Sequence, residues 1–357
     1  MIPISKPTIV RKDLEYVLNC LITEKLEEGN LAKEFEKAVS DYLGIKYVAA
    51  VNNFTSALHL ALLSLKVTEG DEIIIPAYSD LPIINAINYV KAKPVLVDVD
   101  IDTYSIQKEK VLEKITDKTK AIIITHNFGI PADITNFSDF KIPIIEDCSY
   151  AFGAEIAPDI HNEEIKKKVG NFGLISIFSF DTDCIITTGN GAILCSNSRD
   201  LINEIKDYKF NNNKKLDEYK IKFDYRFPDI CAALGLSQLK IVDKLIGRRR
   251  EIADFYNNKF MKSKYKIHKE ISGKKNVYSK YVLLIEGSLD KLIEYSKKHK
   301  IHLKRPIENP AYIILKKDPK EFPNSEYLYR KLVQIPLYPT LKNKEIEFIT
   351  NTLLKVL

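Results

Sequence analysis

The stretch KYVAAVNNFTSALHLALLSLKVTEGDEIIIP, residues 46–76, holds the pattern on which the fold turns. A short apolar run from Lys46 to Val51 has the length of a buried strand. A polar break follows, and Thr55 is then placed to cap an apolar helix reaching about Val67. A second run, Asp71 to Pro76, again reads as a strand. Strand, helix and strand in this order form one βα unit.

Working outward, the alternation continues through Pro94 to Asp98, Lys120 to His126, Pro143 to Asp147, Ile175 to Phe180 and Ala192 to Ser196. Most of these runs are apolar without a break, as in strands covered on both faces, and they predict an α/β fold around a mostly parallel sheet. Upstream, Leu31, Phe35, Val39, Tyr42 and Leu43 fall at helical spacing, and Gly44 closes that helix. Downstream of Asn197 the reading is a helix from Arg199 to Asp207, a polar loop at Asn211, Asn212, Asn213, Lys214 and Lys215, and a long helix from Asp229 to Phe255. Strands at Tyr278 to Ile285 and Gln334 to Leu337, with helices at Leu289 to Lys298 and Asn343 to Leu354, predict a smaller α+β lobe. The expected division is residues 1–240 and 241–357.

A chain of 357 residues, 45% hydrophobic and 29% charged, has enough apolar content for a large core, which excludes disordered and disulfide-stapled classes. A net charge of +6, spread along the chain, does not call for nucleic acid. The lysine patches at Lys166 to Lys168 and Lys262 to Lys275 read as solvated surface. Five cysteines without a Cys-x-x-Cys pair indicate neither a disulfide framework nor a zinc ribbon. Cys20, Cys195 and Cys231 read as small core residues. No signal segment or membrane span is evident, so a soluble cytoplasmic protein is expected.

Candidate chemistry sits at the ends of the runs. Glu146 and Asp147 end a buried strand, and alternation sends one toward the crevice where ligands of such sheets bind and the other away from it. A strand-end acid capping a nearby helix is the competing reading. Asn52 to Ser56 opens a helix after a strand, which suits either a phosphate or an ordinary N-cap. Thr187 to Gly191 reads as a polar turn between strands, a hairpin or a phosphate loop. His126 ends a strand, while His299 and His302 lack partners at a metal-site spacing, and no metal is expected.

Taken together, LAKEFEKAVSDYLGIKYVAAVNN, TSALHLAL, GDEIIIPAY, KPVLVDVD, IIEDCSYAFGA, IFSF, TTGNGA, DYRFPDICAALGLSQL and VQIPLYPTL resemble the DegT/StrS family of pyridoxal-phosphate-dependent sugar aminotransferases over the whole chain. The resemblance implies the aspartate-aminotransferase fold (fold type I). It also implies a homodimer with sites between subunits, and work on nucleotide-sugars for surface polysaccharides. It places Asp147 on the cofactor's pyridine nitrogen, and Ser179, Thr55 and Ser56 near its phosphate.

The same alignment exposes departures. The family's Schiff-base lysine falls on Cys184, and no lysine lies between Lys168 and Lys206. A thiol cannot form the imine that the amine provides. Phe54 stands where a glycine admits the phosphate, Asp80 replaces the ring-stacking aromatic, Tyr150 replaces a glutamine, and Asp224 replaces the asparagine used across the dimer interface. A carboxylate about 4 Å from a phosphate costs about 1 to 4 kcal/mol per charge pair.

Three readings result. One is a homologue that does not transaminate, binding a nucleotide-sugar or pairing with an active paralogue. Another is an enzyme using the pyridoxamine form of the cofactor, with Cys184 as proton carrier. The third is new chemistry drawn from Asp80, Asp183, Asp224, Tyr150 and Cys184.

Overall fold

Within Glu72–Pro76, Ile74 faces one apolar core while Ile73 and Ile75 face another. Successive side chains on a strand point to opposite faces, so this run is buried from both sides. The computed structural model describes residues 1–23, 26–158, 166–209, 221–268 and 270–356. The expected loop at Asn211 to Lys215 lies outside the described residues.

The chain runs α1 (Arg11–Ile22), α2 (Asn30–Leu43), β1 (Tyr47–Val51), α3 (Phe54–Ser64), β2 (Glu72–Pro76), α4 (Leu81–Tyr89), β3 (Lys93–Val97), α5 (Lys108–Leu112), β4 (Thr119–Thr125) and β5 (Ile144–Asp147). It continues through β6 (Glu155–Ile156), β7 (Lys167–Lys168), β8 (Ile175–Ser179), β9 (Ala192–Ser196), α6 (Arg199–Lys209), α7 (Asp229–Leu239) and α8 (Val242–Phe260). The remainder is β10 (Lys266–Ile267), β11 (Lys274–Lys275), β12 (Tyr281–Leu284), α9 (Leu289–Lys298), α10 (Ala311–Ile314), α11 (Pro323–Lys331), β13 (Leu332–Ile335) and α12 (Asn343–Leu354).

All the strands expected between residues 46 and 196 join one seven-stranded sheet of order β1-β9-β8-β5-β4-β2-β3. Pairings from β3 through β8 are parallel, and β9 runs against both β8 and β1. The α/β fold with a mostly parallel sheet is therefore present. Helices α1, α2 and α7 pack together on one face, and α3, α4 and α6 cover the other.

Two helix expectations change. Residues 229–255 form not one helix but α7 and α8, broken at Lys240 and Ile241, where Ile241 leaves helical geometry at φ −115° and ψ 7°. Asn53, not Thr55, caps α3, its Oδ1 accepting from the Ser56 N–H at 2.8 Å. The break matters because Asp229, at the start of α7, reaches back to the first turn of α2. Its carboxylate accepts from the N–H groups of Gly29, Leu31 and Ala32 at 2.8 to 3.2 Å. A buried anion thereby satisfies the orphan donors at the positive end of that helix.

The C-terminal region builds a second sheet, β10-β12-β13, whose core gathers residues of α8, α9 and α12. The N-terminus joins it: Ile2 donates to Lys300 O and accepts from His302 N–H, and Ile4 O accepts from Leu337 N–H. Conversely, Ala311, Tyr312 and Phe322 pack into the large sheet's cores, so the chain crosses the expected 240/241 division in both directions. No helix among the described residues is long and apolar enough to cross a membrane.

Candidate active site

The carboxyl ends of β1, β2, β4, β5 and β8 open onto one cleft. Phe54 follows β1, Ser79 and Asp80 follow β2, and Thr125, His126 and Asn127 close β4. Asp147, Ser149 and Tyr150 come from β5, and Ser179, Asp181 and Cys184 from β8. This is where an open α/β sheet binds its ligands, because loops leaving neighbouring strands diverge there.

The two acids ending β5 take opposite sides. Glu146 is fully buried and accepts from the N–H groups of Gly170, Phe172 and Gly173 and from His126 Nε2. Because His126 Nδ1 accepts from the Ala132 N–H, the imidazole proton sits on Nε2 and the ring is neutral. Cys148 completes a group of metal-type donors with this pair, but the histidine and carboxylate are already committed to hydrogen bonds. Asp147 lines the cleft instead, and its Oδ1 accepts from Ser149 N–H at 3.0 Å and Ser149 Oγ at 2.6 Å. Burial raises its pKa, the Ser149 bonds oppose the rise, and Asp80 adds to it.

Between β8 and β9 the chain does not make a tight hairpin. The excursion from Phe180 to Gly191 is tied by Thr187 Oγ1 donating to Phe180 O and by Gly189 N–H donating to Thr187 Oγ1. Cys184 rides on it, 6% exposed, its Sγ donating to Ser149 O at 3.4 Å. Burial pushes the thiol well above its ordinary value, and Asp183 and Asp181 push it further. The group is a neutral thiol, unsuited to act as thiolate.

Ser179 Oγ donates to Asp181 Oδ2 at 3.0 Å, so the hydroxyl that the resemblance assigns to phosphate already holds a carboxylate. Asp80 occupies the N-cap position of α4 without capping it. Burial raises its pKa, Lys280 counteracts that, and Asp183 reinforces it. Among the described residues the lining carboxylates are Asp80, Asp147 and Asp181, with no lysine or arginine in the lining beside them.

Of the residues singled out in the sequence, Cys184, Asp147, Tyr150, Ser179 and Asp80 converge on the cleft, with Phe54 beside them at 8% exposure. Thr55 and Ser56 lie in the first turn of α3 but are not among the lining residues. Asp224 lies elsewhere on the surface, holding Arg226 through bonds of 2.7 and 2.9 Å. One residue that sequence reading missed is Lys280, 5% exposed, whose Nζ sits 3.9 Å from the centre of the Tyr150 ring. Its position inside the apolar run Tyr278 to Ile285 was the available signal.

The whole chain has relatives of known name. It is 33% identical to the GDP-perosamine synthase of Escherichia coli O157:H7, covering 99% of this chain and 97% of that protein. It is 29% identical to the GDP-perosamine synthase of Vibrio cholerae, covering 98% of each. Among solved structures, Helicobacter pylori PseC, an aminotransferase involved in the biosynthesis of pseudoaminic acid, superposes with a TM-score of 0.89 at 25% identity, over 99% of this chain and 98% of that one. Spr1654 of Streptococcus pneumoniae in its PMP form gives a TM-score of 0.90 at 25% identity, over 99% and 97% of the two chains, and a PLP form is also known. These neighbours carry the PLP-dependent transferase fold, and the family pattern spans residues 7–354, so the chain belongs to the DegT/DnrJ/EryC1/StrS aminotransferase family.

Proposed function

We propose that this chain is a sugar-nucleotide-binding member of its family that does not transaminate. The observation that carries the reading is Cys184, a buried neutral thiol bonded to Ser149 O where the family resemblance calls for a Schiff-base lysine. The rest of the cleft agrees with it. Pyridoxal phosphate would bring a dianion into a site whose charged walls are Asp80, Asp147 and Asp181, and Phe54 narrows the approach to the start of α3. Ser179 is already engaged by Asp181. The donor set does not fit the cofactor.

It does suit a neutral polyol. The carboxylates of Asp80 and Asp181 accept hydroxyl protons, Asn127 and Ser149 add short polar reach, and the ring of Tyr150 offers an apolar face to a pyranose. The sugar-nucleotide class is supported by the names of the relatives, which include GDP-perosamine synthases. Pairing with a second copy, or with a lysine-bearing relative whose site it completes, is part of the same proposal.

A second reading, an enzyme holding the pyridoxamine form of the cofactor, is favoured by one observation: Asp147 stays at the strand end, facing the cleft, where it would partner a pyridine nitrogen. Titration with pyridoxal phosphate and separately with pyridoxamine phosphate, followed by absorbance and thermal shift, separates the two. The first reading expects no saturable response to either. Saturable binding of the amine form would replace it with the second.

A further inference from the structure

Lys280 is a buried lysine that no part of the foregoing reading uses, and the fold goes to some length to place it. The segment Val277 to Lys280 is strapped to Phe128 and Gly129, with Val277 N–H donating to Gly129 O and Lys280 N–H donating to Phe128 O. The approach is so close that a Cβ at Gly129 would meet Ser279 N at 2.9 Å, in a residue that already needs φ +91°. Two non-glycine residues on either side of this contact, Phe128 at φ 61° and Tyr278 at φ 50°, hold left-handed backbone. Such conformations persist where the surroundings over-determine them.

The outcome of this strapping is the position of one amine. Lys280 Nζ donates to Pro306 O at 3.1 Å and stands over the face of Tyr150, with the Phe128 ring 5.9 Å away. Among the described residues it forms no ion pair. Asp80 and Cys184 of the cleft, together with Asp183, act on it electrostatically, and Lys304 is a nearby like charge. Tyr150 itself lines the cleft, so a single aromatic ring separates this amine from the bound-ligand space.

We propose that Lys280 is a reactive amine set beside this cleft, covered by the ring of Tyr150 and able, when that ring moves aside, to form an imine with an aldehyde or ketone carbon of a carbonyl-bearing sugar. Desolvation lowers the pKa of the ammonium, which favours the free amine that attacks. The nitrogen lone pair forms a bond to the carbonyl carbon, and the carbonyl π pair moves to oxygen, which takes the proton released by nitrogen. The resulting carbinolamine then loses water as the C=N bond forms. No oxidant or reductant enters the step. The proton passes from nitrogen to oxygen within the adduct or through water. Only the identity of the ligand rests on the sugar-binding reading above; the amine's reactivity stands apart from it.

The test uses the full chain with glycolaldehyde as carbonyl probe and sodium cyanoborohydride to trap the imine, followed by peptide mapping at neutral pH. In Tyr150→Ala, Lys280 is expected to acquire the hydroxyethyl group faster than exposed lysines, since the burial that remains beside Pro306 and Phe128 still disfavours the ammonium. The wild-type protein should label more slowly at Lys280 than this variant does. Tyr150→Ser serves as a second opening of the cover. Lys280 reacting no faster than exposed lysines in both opened variants overturns the proposal. Because glycolaldehyde carries neither nucleotide nor cofactor, failure of the sugar-binding reading leaves this outcome unaffected.

Discussion

The Sγ of Cys184 donates a hydrogen bond to the main-chain oxygen of Ser149, 3.4 Å away across the cleft between the β8 and β5 loops. The contact fixes the protonated state of the thiol, because a carbonyl oxygen accepts from S–H and repels a thiolate. Cys184 should therefore resist alkylation. With native protein and iodoacetamide at neutral pH, its labelling is expected to run at least about 100-fold below that of an exposed thiol. Rapid modification of Cys184 in the folded chain would show that a thiolate is accessible after all.

Restoring the amine alone should not restore the cofactor site. Cys184→Lys is expected to show no saturable aldimine absorbance with pyridoxal phosphate, because Asp181 still occupies Ser179. Adding Asp181→Asn in that background should bring saturable binding into range, since one charge pair in contact costs about 1 to 4 kcal/mol. If Cys184→Lys by itself binds and transaminates, the lining carboxylates matter less than their number suggests.

Asp229 is the long-range cap of α2, and its removal is expected to cost about 3 kcal/mol, since buried N–H groups lose their acceptor. Urea denaturation of Asp229→Ala measures this directly. Asp229→Asn, which keeps one oxygen acceptor, should recover part of the loss. Equal loss in both variants would point to charge rather than to hydrogen-bond geometry.

His59 gives the fold a calculable acid sensitivity. It is buried among Tyr89, Phe223 and Tyr225, and desolvation lowers its pKa from 6.5 to about 4. The folded state therefore binds the proton less readily than the unfolded chain does. Its contribution is fully present above pH 6.5 and is lost as pH falls from there toward about 4. His59→Phe should flatten the loss of stability between these limits in a pH series of melts, and an unchanged slope would assign the acid sensitivity to other groups.

The strands of the large sheet were legible because unbroken β-branched runs such as Ile73 to Ile75 have few other places to go in a folded chain. Asp147 was legible for a related reason, since it ends a strand whose position the pattern fixes, whereas Ser179 and Cys184 were read from the family resemblance. The helix break at Ile241 left no trace, having neither glycine nor proline to mark it. The capping role went to Asn53 rather than Thr55 because the helix begins two residues earlier than a Thr55 cap requires. Lys280 was hidden because its burial is decided by Phe128, Gly129 and Tyr150, well over a hundred residues upstream. A lysine inside the apolar run Tyr278 to Ile285 signals burial, but local pattern does not name the partners it meets.

The pairing of Ile2 with the segment around residue 301, and of Ile4 with Leu337, also constrains how the molecule comes into being. At ribosomal rates of about 5 to 20 residues per second, the opening segment waits tens of seconds for its partners to be synthesised. During that interval its backbone groups and apolar side chains have only water or other chains to meet. Those contacts can form only once the residues near 301 and 337 have been made, which places closure of the C-terminal lobe late in biogenesis.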